Sequence, residues 1–185
     1  MGKFTFTETE IKGVYIIEPT VYGDVRGYFM ETYSEKEFKE NGLDYRFVQD
    51  NQSKSKKGVL RGLHFQKRYP QAKLVRVLDG EVLDVAVDLR KGSKTYGKWV
   101  GAVLSAENKK QLMIPRGFAH GFLVLSETAV FAYKCDEYYH PEDESGIMWN
   151  DPDVGVEWGD VTDVILSEKD QKHPTLSECK QEYKI

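Results

Sequence analysis

A histidine and a fixed cation lie three residues apart in residues 61–66, which read Arg-Gly-Leu-His-Phe-Gln. Histidine is the side chain whose ordinary pKa lies closest to neutrality, so an imidazole at this position can exchange a proton at physiological pH. The guanidinium of Arg61 is always charged and suits an anionic group such as a phosphate. The pair therefore indicates proton abstraction from an anionic substrate by His64, although a single histidine in an apolar strand is also typical of a hydrogen-bonded core residue.

The histidines form a poor set of metal ligands. Residues 114–120, Ile-Pro-Arg-Gly-Phe-Ala-His, resemble the second histidine motif of metal-binding cupin barrels. In the first motif, however, Gln66 follows His64 where a second histidine ligand would stand. Two histidines with distant carboxylates leave a weak site open, but they suit zinc or iron badly. We therefore expect no metal and no cofactor, with His64 available as a base.

Length and composition indicate one globular domain over residues 1–185. The chain is 40% hydrophobic and carries a formal net charge of −4, which argues against nucleic acid or an anionic membrane surface as a partner. No apolar run approaches the roughly 18 residues of a membrane span. Cys135 and Cys179 are too few and too far apart for a disulfide framework or a structural zinc site. We expect a cytoplasmic protein with reduced thiols.

Most of the chain has the pattern of short β-strands separated by turn residues. Strands are predicted at residues 13–18, 59–66, 74–78, 81–87, 99–104, 118–125 and 129–133. A capping box of Ser34 and Glu37 predicts a helix over residues 34–41, and a second short helix is expected near residues 167–171. Residues from about 140 to 185 are expected to wrap the outside. This pattern is typical of a mainly β, jelly-roll barrel or sandwich with few short helices.

Two predicted hairpins bear on the site. An Asp79-Gly80 turn would pair residues 74–78 with 81–87 and place six residues on one face: Lys73, Val75, Val77, Val82, Asp84 and Ala86. If that face lines the interior, Lys73 and Asp84 must be paired with each other or with a ligand; if it faces outward, they form an ordinary surface salt bridge. In the later hairpin, a two- or four-residue loop around residues 126–127 places His120 and Tyr133 on the same face, whereas a three-residue loop separates them.

Beyond these features, the chain resembles the dTDP-4-dehydrorhamnose 3,5-epimerases, enzymes with a cupin fold. The resemblance covers nearly the whole chain and runs in order through residues 23–31, 47–51, 59–66, 73–90, 104–108, 114–126, 138–142 and 149–151. It implies a cupin-type jelly roll and a dTDP-4-keto-6-deoxy sugar as substrate.

The resemblance also implies a reaction and its catalytic residues. In dTDP-4-dehydro-6-deoxy-D-glucose, the ketone at carbon 4 acidifies the protons on carbons 3 and 5, and the enzyme inverts both centres. His64 matches the base, and Asp170 matches the carboxylate that orients it. Tyr133 matches the proton donor, because a phenol stays protonated at neutral pH. Lys73 matches a cation beside the ketone oxygen.

Binding residues and a homodimer are implied in the same way. Arg61 and Arg26 match groups that hold the diphosphate, and Tyr139 matches a ring stacked on thymine with Phe29 as an opposing surface. The rest of the implied binding set comprises Glu31, Gln49 and Asn51 at the nucleoside end, together with His120, Glu144 and Lys169. The segment of about residues 1–50 is expected in the dimer contact, where Arg26 and Phe29 reach the partner's site.

Two alternatives remain at this point. One keeps the fold and substrate type but changes the reaction to a 3-epimerase or a 3,4-ketoisomerase on a related dTDP-4-keto sugar. The other is a cupin that binds a nucleotide sugar without catalysis. Paired histidines expected of a ketoisomerase are missing after His64, and a pure binder has no need of a base, an orienting carboxylate, a donor and a cation together.

Overall fold

The protein is described by a computed structural model, which covers residues 2–160, 163–179 and 183–184. One α-helix, α1, spans Glu35–Glu40, and short 3-10 helices span Pro141–Asp143 and Asp170–Lys172. The strands are β1 (Phe4–Glu8), β2 (Tyr15–Pro19), β3 (Tyr22–Asp24), β4 (Gly27–Phe29), β5 (Gln49–Lys56), β6 (Leu60–Gln66), β7 (Lys73–Asp79), β8 (Glu81–Asp88), β9 (Arg90–Lys91), β10 (Trp99–Ser105), β11 (Gln111–Ile114), β12 (Phe118–Val124), β13 (Thr128–Cys135), β14 (Glu144–Gly146) and β15 (Tyr183–Lys184).

Two antiparallel sheets pack face to face. The six-stranded sheet has the order β1-β2-β11-β7-β13-β5, and the five-stranded sheet has the order β10-β8-β12-β6-β14. Val75 and Phe131 from the first sheet share one buried apolar cluster with Val82 and Phe122 from the second. Burial of this interior drives the two sheets together. The mainly β, cupin-type fold with few short helices is thus confirmed.

The expected hairpin at residues 79–80 is wrong. Strand β7 pairs with β11 and β13, whereas β8 pairs with β10 and β12, so the two strands lie in opposite sheets. Gly80 (φ +76°) turns the corner between the sheets, where a Cβ atom would lie 2.0 Å from the Thr128 carbonyl oxygen. An Asp-Gly pair serves either connection, and local pattern does not distinguish them.

The later pairing is also wrong, because β12 and β13 belong to different sheets. His120 and Tyr133 therefore do not share a face of one hairpin. The Phe131 ring neighbours both side chains, with centroid distances of 6.1 Å to His120 and 5.9 Å to Tyr133. Both side chains reach the same interior, but from opposite walls.

The predicted helix is confirmed, and the C-terminal segment covers one sheet. Ser34 is the N-cap of α1, and its hydroxyl accepts a hydrogen bond from the Glu37 amide. Val154, Trp158 and Leu176 are buried in a second apolar cluster over the five-stranded sheet. Within the described ranges, no helix is long and apolar enough to cross a membrane.

Candidate active site

His64 and Asp170 form a hydrogen-bonded pair, here called the dyad. His64 lies on β6 opposite His120 on β12, and Asp170 begins the 3-10 helix near the C-terminus. The Nε2 atom of His64 lies 2.6 Å from Oδ1 of Asp170. Asp170 is buried, whereas His64 keeps a partly exposed edge. The dyad is therefore buried on the Asp170 side and accessible on the His64 side.

The surroundings of Asp170 keep it ionised. Burial acts to raise the pKa of Asp170, but its contacts with His173, His64 and Ser167 outweigh burial and hold that pKa well below its usual range. An ionised carboxylate can only accept, so neutral His64 must donate from Nε2. That tautomer leaves the lone pair on Nδ1, which can accept a proton.

Lys73 and Tyr133 approach from the opposite sheet. They lie on the adjacent strands β7 and β13, with the Lys73 Nζ atom 5.8 Å from the centre of the Tyr133 ring. Burial raises the pKa of Tyr133, so the phenol stays protonated at neutral pH. Burial lowers the pKa of Lys73, although Cys135, Asp84 and Glu144 oppose this shift.

A second histidine–carboxylate pair lies behind the dyad. His120 Nε2 is 2.9 Å from one oxygen of Asp84, and both side chains are buried. Burial raises the pKa of Asp84 and lowers the pKa of His120, while their contact opposes both shifts. Asp84 was not among the predicted site residues. Its signal was a single carboxylate within the apolar residues 82–87 of β8, where its neighbours Val82 and Ala86 on the same strand are buried in the core.

Several predicted binding residues form one connected hydrogen-bonded group. Gln49 Oε1 accepts from the Tyr139 amide at 3.0 Å, and Gln49 Nε2 donates to Asn51 Oδ1 at 3.0 Å. The Tyr139 hydroxyl donates to Glu144, which also pairs with Lys169 Nζ at 2.5 Å. The contact with Glu144 raises the pKa of Tyr139 to about 12. Tyr139 is half exposed, so one ring face remains open to a ligand.

Arg61 stands beside the dyad. An open cavity of about 310 Å³ is lined by Arg61, His64, Glu144, Lys169 and Asp170, among other residues. The Arg61 Nε atom donates to the Ser55 hydroxyl at 3.1 Å, which orients the guanidinium. Arg61 and Lys169 thus give the cavity two cations on its wall, a suitable setting for a phosphorylated ligand.

Arg26, Phe29 and Glu31 lie elsewhere. Arg26 and Phe29 belong to the exposed β3–β4 hairpin, where Arg26 pairs with Asp24. Glu31 forms an ion pair with Lys3. Within one copy of the chain, these contacts hold the three residues in the N-terminal segment and not beside the dyad.

Gln66, the residue that replaces a cupin metal ligand, is a buried structural link. Its Nε2 donates to the carbonyl oxygens of Tyr69 and Tyr138 at 2.6 and 3.1 Å, and its Oε1 accepts from the His140 amide at 2.7 Å. Gln66 therefore holds the loop that carries Tyr139. This role could not be read from its replacement of a ligand alone.

One group in the described part of the chain brings possible metal ligands together. Donor atoms of His64, Asp170 and His173 all lie within 4.8 Å of one another. Ligands at about 2.1 Å from a tetrahedral zinc are about 3.4 Å apart. The 2.6 Å contact between His64 and Asp170 is instead a hydrogen-bond distance. The sequence did not single out His173, since nothing in its spacing relates it to His64.

Comparison with known proteins points to one family. The family model for dTDP-4-dehydrorhamnose 3,5-epimerase matches residues 8–178. A dTDP-4-dehydrorhamnose 3,5-epimerase of Methanothermobacter thermautotrophicus is 59% identical over 180 residues, which cover 96% of this chain and 97% of the relative.

Solved structures agree in fold over almost the whole chain. A dTDP-4-dehydrorhamnose 3,5-epimerase from Elizabethkingia anophelis is 57% identical, with a TM-score of 0.92 and coverage of 96% of this chain and 98% of the other. A dTDP-6-deoxy-D-glucose-3,5-epimerase from Legionella pneumophila is 54% identical, with a TM-score of 0.92 and coverage of 94% and 93%. The latter structure is a complex with dTDP-4-keto-L-rhamnose.

Proposed function

Because the chain belongs to the dTDP-4-dehydrorhamnose 3,5-epimerase family, we propose that it converts dTDP-4-dehydro-6-deoxy-D-glucose to dTDP-4-dehydro-L-rhamnose in dTDP-L-rhamnose biosynthesis. The observation that carries this proposal is the division of the site between two sheets. His64 lies on the five-stranded sheet with Asp170 hydrogen-bonded to it, and Tyr133 and Lys73 lie on the six-stranded sheet. Inversion of a carbon centre needs a base and a proton donor on opposite faces of the sugar, and the proposal assigns these roles to His64 and Tyr133.

The steps follow from the protonation states. Nδ1 of His64 takes the proton from the carbon next to the ketone, and the electron pair moves into the enolate. Lys73 stabilises the negative charge that develops on the ketone oxygen. Tyr133 then protonates the carbon from the opposite face. His64 releases the abstracted proton to solvent, and the Tyr133 phenolate takes one proton up from solvent. The same cycle at the second carbon completes the epimerisation, with no net oxidation or reduction.

The binding residues fit the two ends of such a substrate. Arg61 is proposed to hold the diphosphate through its guanidinium, next to Lys169. Tyr139 is proposed to stack on the thymine ring, while Gln49 and Asn51 bond the edge of the base. His120 and Glu144 complete the lining on the sugar side of the cavity.

The exposed hairpin supports a homodimer. Val25, Tyr28 and Phe29 leave an apolar and aromatic surface in solvent, with Phe29 64% exposed. We propose that the N-terminal segment of about residues 1–50 packs on a second copy and that Arg26, Phe29 and Glu31 complete the partner's site. We also propose that residues 1–185 form one domain and that the protein works in the cytoplasm. Neither nucleic acid nor a membrane is proposed as a partner.

The test measures the uptake of deuterium from solvent into the substrate. The enzyme is incubated with dTDP-4-dehydro-6-deoxy-D-glucose in heavy water, and NMR monitors deuterium at carbons 3 and 5. Uptake at both carbons, with dTDP-L-rhamnose formed when a reductase is added, is the expected result. Uptake at carbon 3 alone would replace the proposal with a 3-epimerase, and binding without uptake would identify a non-catalytic binder. Because no step uses a metal, activity is expected to survive thorough chelation, and its loss would contradict the mechanism.

A further inference from the structure

His173 is a histidine whose side chain is largely buried and whose Nε2 atom points at the dyad. It follows the 3-10 helix that carries Asp170, and only 8% of its side chain is exposed. Its Nε2 lies 3.5 Å from Oδ1 of Asp170, the same oxygen that contacts His64. Among the described residues, no group forms a hydrogen bond of standard geometry with this nitrogen. A buried imidazole nitrogen without a better partner requires an explanation.

The packing around His173 holds the ring in this orientation. Gly146 on β14 pairs in register with His64, and a Cβ atom at Gly146 would lie 2.5 Å from the His173 Nε2. The His173 ring also meets the His64 ring edge to face, at 5.6 Å and 76°. A glycine beside the catalytic histidine therefore makes the space that lets His173 reach the carboxylate.

We propose that His173 is a positioning residue that donates its Nε2 proton to Asp170 and thereby limits how tightly the dyad retains an abstracted proton. This inference rests on the proposed function and adds a residue to it. His64 and His173 share one acceptor oxygen, so each donor weakens the hold of that oxygen on the other. Consistent with this sharing, the contact with His173 helps to hold the pKa of Asp170 well below its usual range, against the effect of burial.

The direction of the effect follows from charge. Without the donor at residue 173, the Asp170 carboxylate would interact more strongly with protonated His64, and His64 would keep its proton to higher pH. The other charged or titratable groups around the dyad are Glu144 on β14, His120 on β12, Lys73 and Tyr133 from the opposite sheet, and the cavity-wall residues Arg61 and Lys169. These groups are the same in all variants below, so their influence cancels in the comparison.

Two substitutions separate hydrogen bonding from packing. His173→Phe keeps an aromatic ring and removes the donor, whereas His173→Gln keeps a donor and removes the ring. The readout is the pH dependence of kcat/KM, measured by deuterium uptake into the substrate. In His173→Phe, the acid limb is expected to move to higher pH by about 0.5 unit, the change expected from losing one weak hydrogen bond to a charged group. In His173→Gln, the acid limb is expected to stay near its wild-type position.

If His173 acts only by packing, the acid limb should move in His173→Gln and stay in place in His173→Phe, and that result would overturn the proposal. Acid limbs at the same pH in wild type and both variants would also overturn it. The thermal midpoint of each variant shows whether it is folded.

A second measurement uses the unmodified protein and does not depend on activity. With 15N-labelled histidine, NMR identifies which nitrogen of neutral His173 carries the proton. The proposal requires the Nε2–H tautomer, and the Nδ1–H tautomer would refute it. If the wild-type enzyme fails to exchange substrate protons, the proposed function is wrong, but the tautomer still decides whether His173 donates to Asp170.

Discussion

Replacing Asp170 with asparagine removes the charge of the dyad while nearly preserving its shape. The amide oxygen of the introduced side chain can still accept the Nε2 proton of His64, so the tautomer with a lone pair on Nδ1 survives. What is lost is the negative charge that stabilises His64 once it has taken the substrate proton. Asp170→Asn therefore isolates the electrostatic contribution of the carboxylate.

The expected loss of kcat follows from the hydrogen bond between His64 and Asp170. The hydrogen bond is short, at 2.6 Å, and the Asp170 side chain is only 5% exposed, so water screens the charge little. A hydrogen bond to a charged group contributes about 1.5–3 kcal/mol. Since about 1.4 kcal/mol corresponds to a tenfold change in rate, kcat should fall about 10- to 150-fold. KM should change little, because Asp170 acts through His64 and is not proposed to touch the substrate.

The assay is deuterium uptake into dTDP-4-dehydro-6-deoxy-D-glucose under saturating substrate. Glu168→Gln is the matched control, because it neutralises an exposed carboxylate two residues away. A kcat for Asp170→Asn within about threefold of wild type would refute the reasoning, since the charged contact would then contribute far less than the expected energy. A loss near 10⁴-fold would instead mean that the amide has flipped and imposed the wrong tautomer on His64.

Three further predictions concern the opposite wall and acid stability. Tyr133→Phe should lower product formation about 10²- to 10⁴-fold, while NMR still detects exchange at the carbon that His64 deprotonates; equal loss of both would contradict the assigned donor. Lys73→Met should lower the single-turnover rate constant about 10²- to 10³-fold, because the enolate loses its cation, and an unchanged rate constant would exclude that role. The pKa of Asp170 is lowered by folding, so its stabilisation is present above the unfolded pKa of about 3.9 and is lost as pH falls below it. Urea unfolding should therefore show that Asp170→Asn loses less stability than wild type between about pH 6 and pH 3.

Strand positions were predictable because the signals that define them are local. The apolar runs of β6, β7, β8, β10, β12 and β13 appear in the sequence close to their observed bounds. Strand β5 was missed, since Gln49–Lys56 is polar and has no apolar alternation. It is nevertheless a strand, because its backbone pairs along the whole length of β13 at the edge of the sheet. Backbone pairing of this kind depends on a neighbour far away in the chain.

Strand pairing was not predictable from the same signals. Both β7 and β8 bury residues on their two faces, as Leu74 and Val75 show for β7 and Val85 and Ala86 show for β8. A strand apolar on both faces gives no indication of which sheet it joins. The local pattern of the Asp-Gly turn therefore predicts a hairpin, whereas in the structure the turn connects the two walls of the sandwich.

The sequence by itself determined which side chains could do chemistry, the β character of the chain and, through resemblance, the family. Residue types and local spacing are enough for those conclusions, and His64 beside Arg61 was visible from the start. The resemblance already matched Asp170 to the carboxylate that orients His64. Only the tertiary structure decided the 2.6 Å contact between them, that His173 lies 3.5 Å from the same oxygen, and that Lys73 and Tyr133 come from the other sheet. These relations arise from packing between distant segments, because burying the two apolar faces brings together side chains that have no relation in local sequence.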